Sequence, residues 1–271
     1  MMRLLNATLK LSDSEFVNNG VLLSHSQIAA DNCSSISVII FNCVFNNDLD
    51  SRPFYRPGVT LAGCQFVRLK VTSSTFRSAP VMVTAELHGH VRLRDVRLSG
   101  VAVRGSSLAI TLGPGDNLVS LKDCNVSGHE ASHSSAVSIS TDSSPRSSDV
   151  ELRRVRFHDN GRQKTRGAAL SILARFERQS RPQLNTTLYD CVFYNNSAAE
   201  LQVGGAMYVA NADTVRLFRC QFGRNAANDG GAVYVHSSTG AQMYKCHVLT
   251  CLTFFQRFFI LKNVVKVACR Y

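Results

Sequence analysis

Two stretches decide the fold: LYDCVFYNNSA at 188–198 and LFRCQFGRNAA at 217–227. A glycine pair follows each, in GGAMYV at 204–209 and GGAVYV at 230–235. The first elements are 29 residues apart and the second 26, so this is an internal repeat. A less regular copy is LRRVRFHDNG at 152–161, followed by GAALSI at 167–172. Working outward, the template V-x-L-x-x-C-x-F finds ten sites. Its Leu column is Leu11, Ile40, Leu61, Val71, Leu93, Leu121, Leu152, Leu188, Leu217 and Met243. Its Phe column is Phe16, Phe45, Phe66, Phe76, Leu98, Val126, Phe157, Phe193, Phe222 and Val248. Phe66 and Phe76 are too close for separate turns, so they belong to one turn and the count is nearer nine.

The parity of the template predicts its geometry. Residues two apart on a strand share a face, so V-x-L is one such pair and C-x-F another. Leu and Cys are three apart, and both are apolar, so the chain must bend between them. Asp13, Asn42, Gly63, Asp95, Asp123 and Asp190 precede the Cys column, and these types accept tight left-handed turns. The glycine-pair element adds a third strand rich in Val, Tyr and Ile. Three short strands in each turn of 21 to 36 residues predict an all-β, parallel β-helix solenoid. About nine turns would make a rod on the order of 43 Å long. A leucine-rich repeat shares part of the spacing. However, AANDGGAVYVHSSTGAQ after Asn225 has no leucine and reads as strand, which removes that fold's second packed segment.

Phe193 with Asn196 then Gly204, Gly205 and Ala206, and Phe222 with Asn225 then Gly230, Gly231 and Ala232, form a paired motif, F-x-x-N and G-G-A-apolar. Phe157, Asn160, Gly167 and Ala168 are a degraded copy, and Phe16 with Asn19 keeps the first half. This pairing resembles the repeats of the chlamydial polymorphic outer-membrane proteins, in the pectin-lyase-like superfamily. The resemblance covers about 150–248, with vestiges upstream. It implies a right-handed parallel β-helix that is exported and acts in adhesion. The chain shows neither the export signal nor the C-terminal barrel of that family, and it reads as a fragment of a larger protein. On this reading 1–248 is one repeat domain, incomplete at its N-terminus. The segment 249–271, where the repeat stops, is a cap or non-native sequence. The i, i+4 spacing of Phe254, Phe255, Phe258 and Phe259 suggests a short helix there.

Cys43, Cys64, Cys124, Cys191, Cys220 and Cys246 form the Cys column. Equivalent side chains in successive turns stack about 4.8 Å apart and point the same way. A disulfide needs Cβ atoms closer than that, so the column reads as an inward ladder of thiols. No C-x-x-C pair gives zinc spacing, and no metal or cofactor is expected. The Asn column, Asn19, Asn160, Asn196 and Asn225, reads as stacked amides at turns. Glycoside hydrolysis wants two carboxylates about 5 to 9.5 Å apart, and no paired acids occur at equivalent positions. His88-Gly89-His90 lies beside no acid cluster and reads as a turn. No catalytic residues are expected.

The formal charge is +11, from 30 Lys and Arg against 19 Asp and Glu. Ten of the cations fall in 146–181, against four acids. Arg153, Arg154, Arg156, Arg162, Lys164 and Arg166 are therefore the candidate polyanion-binding residues. Nucleic acid would be attracted, but no nucleic-acid module is present. Val248 to Ala268 is the most apolar window; Arg257, Lys262 and Lys266 interrupt it, so no membrane span is expected. Candidate N-glycosylation sites are Asn6, Asn32, Asn125, Asn185 and Asn195; Asn185 is placed in a long loop and Asn125 on an outward strand position. The leading expectation is a non-catalytic extracellular or cell-surface β-helix for adhesion or anionic-glycan recognition. The alternatives are a degenerate polysaccharide lyase or hydrolase of the same fold, and a structural spacer.

Overall fold

The computed structural model describes residues 3–4, 7–17, 28–31, 33–47, 57–100, 105–130, 134–141, 147–161, 166–174, 183–198, 203–249, 251–253, 259–261 and 266–269. They form an all-β parallel solenoid with no helix among them. Each turn lays one strand on each of three parallel ladders. In one turn these are Leu108–Leu112, Asp116–Lys122 and Asn125–Ser127; the next turn repeats them at Val137–Thr141, Ser147–Arg153 and Arg156–His158. About seven turns are supported, slightly fewer than the template count of nine. Strands at Arg3–Leu4, Ala7–Ser12 and Glu15–Val17 pair onto the same three ladders, but 18–27 and 48–56 lie outside the described residues.

The Leu and Phe columns lie where parity puts them. Register pairs Leu11 with Ile40, then Val71, Leu93, Leu121, Leu152, Leu188, Leu217 and Met243, all on the second ladder. On the third ladder Phe16, Phe45, Phe76, Leu98, Val126, Phe157, Phe193, Phe222 and Val248 align. Their rings stack at 4.6 to 5.0 Å in two runs, Phe16–Phe45–Phe76 and Phe157–Phe193–Phe222. Inter-strand spacing sets that distance. Leu98 and Val126 separate the runs.

The bend between the two columns is a left-handed residue in every turn. Asp13, Asn42, Asp95, Asp123 and Asp190 have φ between 49° and 55°, as their types suggest. Ser73, Arg154, Arg219 and Lys245 occupy the same corner at 48° to 52°. The glycine pairs make a second tight bend. Gly204 has φ 71°, and a side chain on Gly205 would collide with the carbonyl oxygen of Gly231 in the next turn.

Three expectations are corrected. The template site at Leu61, Cys64 and Phe66 is false: Leu61 pairs on the first ladder with Ala30 and Val83, while Phe66 is exposed. Phe76 fills the Phe column of that turn, which agrees with assigning both phenylalanines to one turn. Cys64 is not in the thiol ladder but is disulfide-bonded to Cys33, with Cα atoms 4.5 Å apart. The regular-ladder argument against a bridge fails here because the register shifts on either side of Cys64, and irregular backbone brings the two positions together. Finally, Phe259–Leu261 is a strand paired with Val233–Val235, not part of a helix. Lys266–Cys269 likewise extends the second ladder, whereas Phe254, Phe255 and Phe258 lie outside the described residues.

Candidate functional site

Along the second ladder the inward residues form the core and every alternate residue faces solvent, so outward side chains of successive turns make rows along the rod. One row runs Lys10, Ile39, Lys70, Arg92, Ser120, Glu151, Thr187, Arg216 and Gln242. Its neighbour runs Ser12, Phe41, Thr72, Arg94, Lys122, Arg153, Tyr189, Phe218 and Tyr244. A third runs Thr8, Ser37, Arg68, His90, Leu118, Asp149, Asn185 and Thr214. Between Val59 and Lys122 these rows therefore gather Arg68, Lys70, Arg92, Arg94, Lys122 and His90 on one flat face. Among the described residues none of the five Arg and Lys makes an ion pair. Asp116 borders the face on its upstream side. At the downstream corner Asp95 accepts a hydrogen bond from Ser73 and Asp123 is taken by Arg154.

The sequence-predicted cluster is split by the corner. Arg153 ends a second-ladder strand, pairs with Glu151 at 3.3 Å and lies over the Tyr189 ring at 5.0 Å. Arg154 is the left-handed corner residue and forks onto Asp123 at 2.5 and 2.9 Å, which holds that carboxyl below the usual range. Arg156 begins the third-ladder strand on a different face, beside Asn125 and Val192. Arg166 lies over the Tyr208 ring at 5.8 Å. Arg162 and Lys164 lie outside the described residues. Consecutive cations in sequence thus land on different faces, while cations about 22 to 31 residues apart, such as Lys70 and Arg92 or Lys122 and Arg153, stack. Only the register of neighbouring turns could have revealed the denser face.

His88-Gly89-His90 is strand, not turn: it opens the second-ladder part of Val81–Arg94, with both imidazoles outward and Gly89 inward. The Gly89 amide donates to Asn117 Oδ1 at 2.7 Å, and Asn117 Nδ2 donates to the Gly113 and Gly115 carbonyls and to Ser148 Oγ. That clamp fixes the bend beside His88, whose Nδ1 accepts from the Asp116 amide at 3.0 Å. His88 stacks on Phe66 at 5.0 Å. Burial lowers the His90 pKa, and the Arg68 and Arg92 charges lower it further.

The remaining polar columns are structural. Asn160 donates to Asn196 Oδ1 and Asn196 to Asn225 Oδ1, each at 2.9 Å, and each amide also donates to a carbonyl one turn back. All three are fully buried and satisfied. Asn19 lies outside the described residues. One turn before Asn160 the ladder begins with His129, whose backbone amide donates to Asn160 Oδ1. Its Nε2 donates to the Ser134 carbonyl and its Nδ1 accepts from Ser107 Oγ. The template missed it because His replaces Asn there. Cys43, Cys124, Cys191, Cys220 and Cys246 are buried thiols. Burial raises Cys124 to about 11, and the hydrogen bond with Cys191 raises Cys220 to about 12, so neither thiol is a ready nucleophile.

The expectation for Asn185 is also corrected. It lies within the strand Leu184–Tyr189, donating to Asp149 and accepting from Thr214 Oγ1. Asn125 is an outward, half-buried strand residue; Asn195 is an exposed corner residue that donates to Asp159 at 2.6 Å. Asn6 and Asn32 lie outside the described residues. Among the described residues no group of three His, Cys, Asp or Glu could hold a metal, and no helix is long and apolar enough to cross a membrane. Compared with known proteins, the chain matches no family model, no curated protein and no solved structure.

Proposed function

We propose that the chain is a non-catalytic, extracellular or cell-surface β-helix of right-handed sense, and that it recognises anionic glycans. The observation that carries this reading is the second-ladder face at Arg68, Lys70, Arg92, Arg94 and Lys122, where stacked cations make no ion pair among the described residues. Like charges opposed across strands cost stability. A repeating anion would offset that cost, and the flat cationic surface would attract it at long range. The Cys33–Cys64 bridge supports export, since disulfides persist in oxidising compartments. The FxxN and GGA pairing supports adhesion through the resemblance it carries.

The test is retention on immobilised heparin as salt is raised. Neutralising Lys70, Arg92 and Arg94 together should bring elution to clearly lower salt. Neutralising Arg153, Arg154 and Arg156 should shift it less, because the first two already have protein partners. No retention of the native chain at low salt would overturn the reading. So would turnover of a polyuronate that a single acid substitution abolishes.

A further inference from the structure

Upstream on the basic face lies a cleft of about 300 Å³, walled by Ser35, Ser37, Phe66, Arg68, His88 and His90 over Ile36 and Val67. Register explains it. Ser35, Phe66 and His88 follow one another in one row, and Ser37, Arg68 and His90 in the next, so two small residues leave a step in front of two large ones. Phe66 is 44% exposed. His88 covers one face of its ring, and the other face turns towards Ser35.

We propose that this cleft seats one acidic sugar unit, its ring against the open face of Phe66 and its sulfate or carboxylate between Arg68 and His90. The proposal rests on the polyanion reading above and gives that binding a fixed point. The volume is at the lower end for small-ligand sites, which suits one ring. A guanidinium beside an apolar ring face matches a ligand that is both flat and anionic. A neutral ring would leave Arg68 unused, and a bare anion would leave Phe66 exposed.

The groups facing His90 are Arg68 one turn before, His88 and Arg92 on its own strand, Leu118 one turn after, and Asp116, the acid among them. A bound anion therefore favours protonated His90, and reciprocally acidification tightens binding. His88 is held by the backbone of Asp116, whose amide donates to its Nδ1 at 3.0 Å.

Calorimetry with a short heparin oligosaccharide, a short oligogalacturonate and a neutral dextran oligosaccharide, at about pH 5 and about pH 8, tests this. At least one acidic probe should bind, more tightly at the lower pH; binding of oligogalacturonate shows that a carboxylate suffices, and binding of heparin alone shows that sulfate is needed. Phe66→Ala and Arg68→Ala should each weaken it about tenfold or more, whereas Arg94→Ala, outside the cleft, should change it less than about threefold. His90 resonances should titrate at higher pH with the probe bound. Both variants alter outward residues, and unchanged circular dichroism checks their fold. Equal binding of dextran, or unaltered affinity in both cleft variants, refutes the cleft while leaving heparin retention by the whole face intact. Loss of heparin retention in the native chain refutes the face itself.

Discussion

Two halves of one solenoid use the same second ladder in opposite ways. Between Val59 and Lys122 its outward rows stack cation on cation: Lys70 opposite Arg92, and Arg94 opposite Lys122. Beyond Ser147 the rows carry fewer cations, Arg153 and Arg216, and carboxylate pairs form there and at the adjoining corner. Arg153 meets Glu151 and Tyr189, Arg219 forks onto Asp190, and Tyr189 stacks on Phe218 at 5.0 Å. The backbone is the same in both, so local folding does not demand the contrast. In the second half Arg153, Arg154 and Arg219 each have a carboxylate partner. The other half keeps stacked cations that make no ion pair among the described residues, the feature on which the proposed polyanion binding rests.

The sharpest way to break the comparison is through what the halves share, the ring columns. Phe193→Ala in the second half should cost about 3–5 kcal/mol, and Phe76→Ala in the basic half a similar amount, because both are fully buried in stacked runs. Chemical denaturation reads both. A loss near zero at either position would mean that half is not packed as described. Phe66→Ala, on the surface, should cost far less and serves as the control.

Next in size is an acid effect at the junction. His129 heads the amide ladder of the second half, and burial lowers its pKa from 6.5 to about 4. Its neutral form is the folded form, so the unfolded chain binds the proton first. Stability from this group is present above about pH 6.5 and falls as the pH drops towards 4, by roughly 3 kcal/mol in all. His129→Gln should flatten that slope, measured as denaturation midpoint against pH. An unchanged slope would show the imidazole to be solvated.

The smallest expected effect is the most direct on the basic face. Lys70→Ser removes one opposed like-charge pair and should stabilise by about 0.2–1 kcal/mol at low salt, with the gain fading as salt rises. It should also lower heparin retention. A destabilised Lys70→Ser would show that the cation has an intramolecular role after all.

The columns were readable because they depend on short-range parity. Two, three and five residues separate the Leu, Cys and Phe positions, and strand alternation with one left-handed corner converts those spacings into faces whatever the turn length. The corner was legible at Asp95, Asp123 and Asp190 for the same local reason, and invisible at Arg154 and Arg219, whose types do not announce it. What lay beyond the sequence depends on register between turns of unequal length. Arg153, Arg154 and Arg156 are neighbours in the chain but fall on either side of a corner. Arg68, Lys70, Arg92, Arg94 and Lys122 are scattered in the chain but become one surface. The Cys33–Cys64 bridge and the Phe66 cleft likewise follow from a register shift and from two serines of one strand set beside Phe66 and Arg68, which only the stacking of one turn on the next creates.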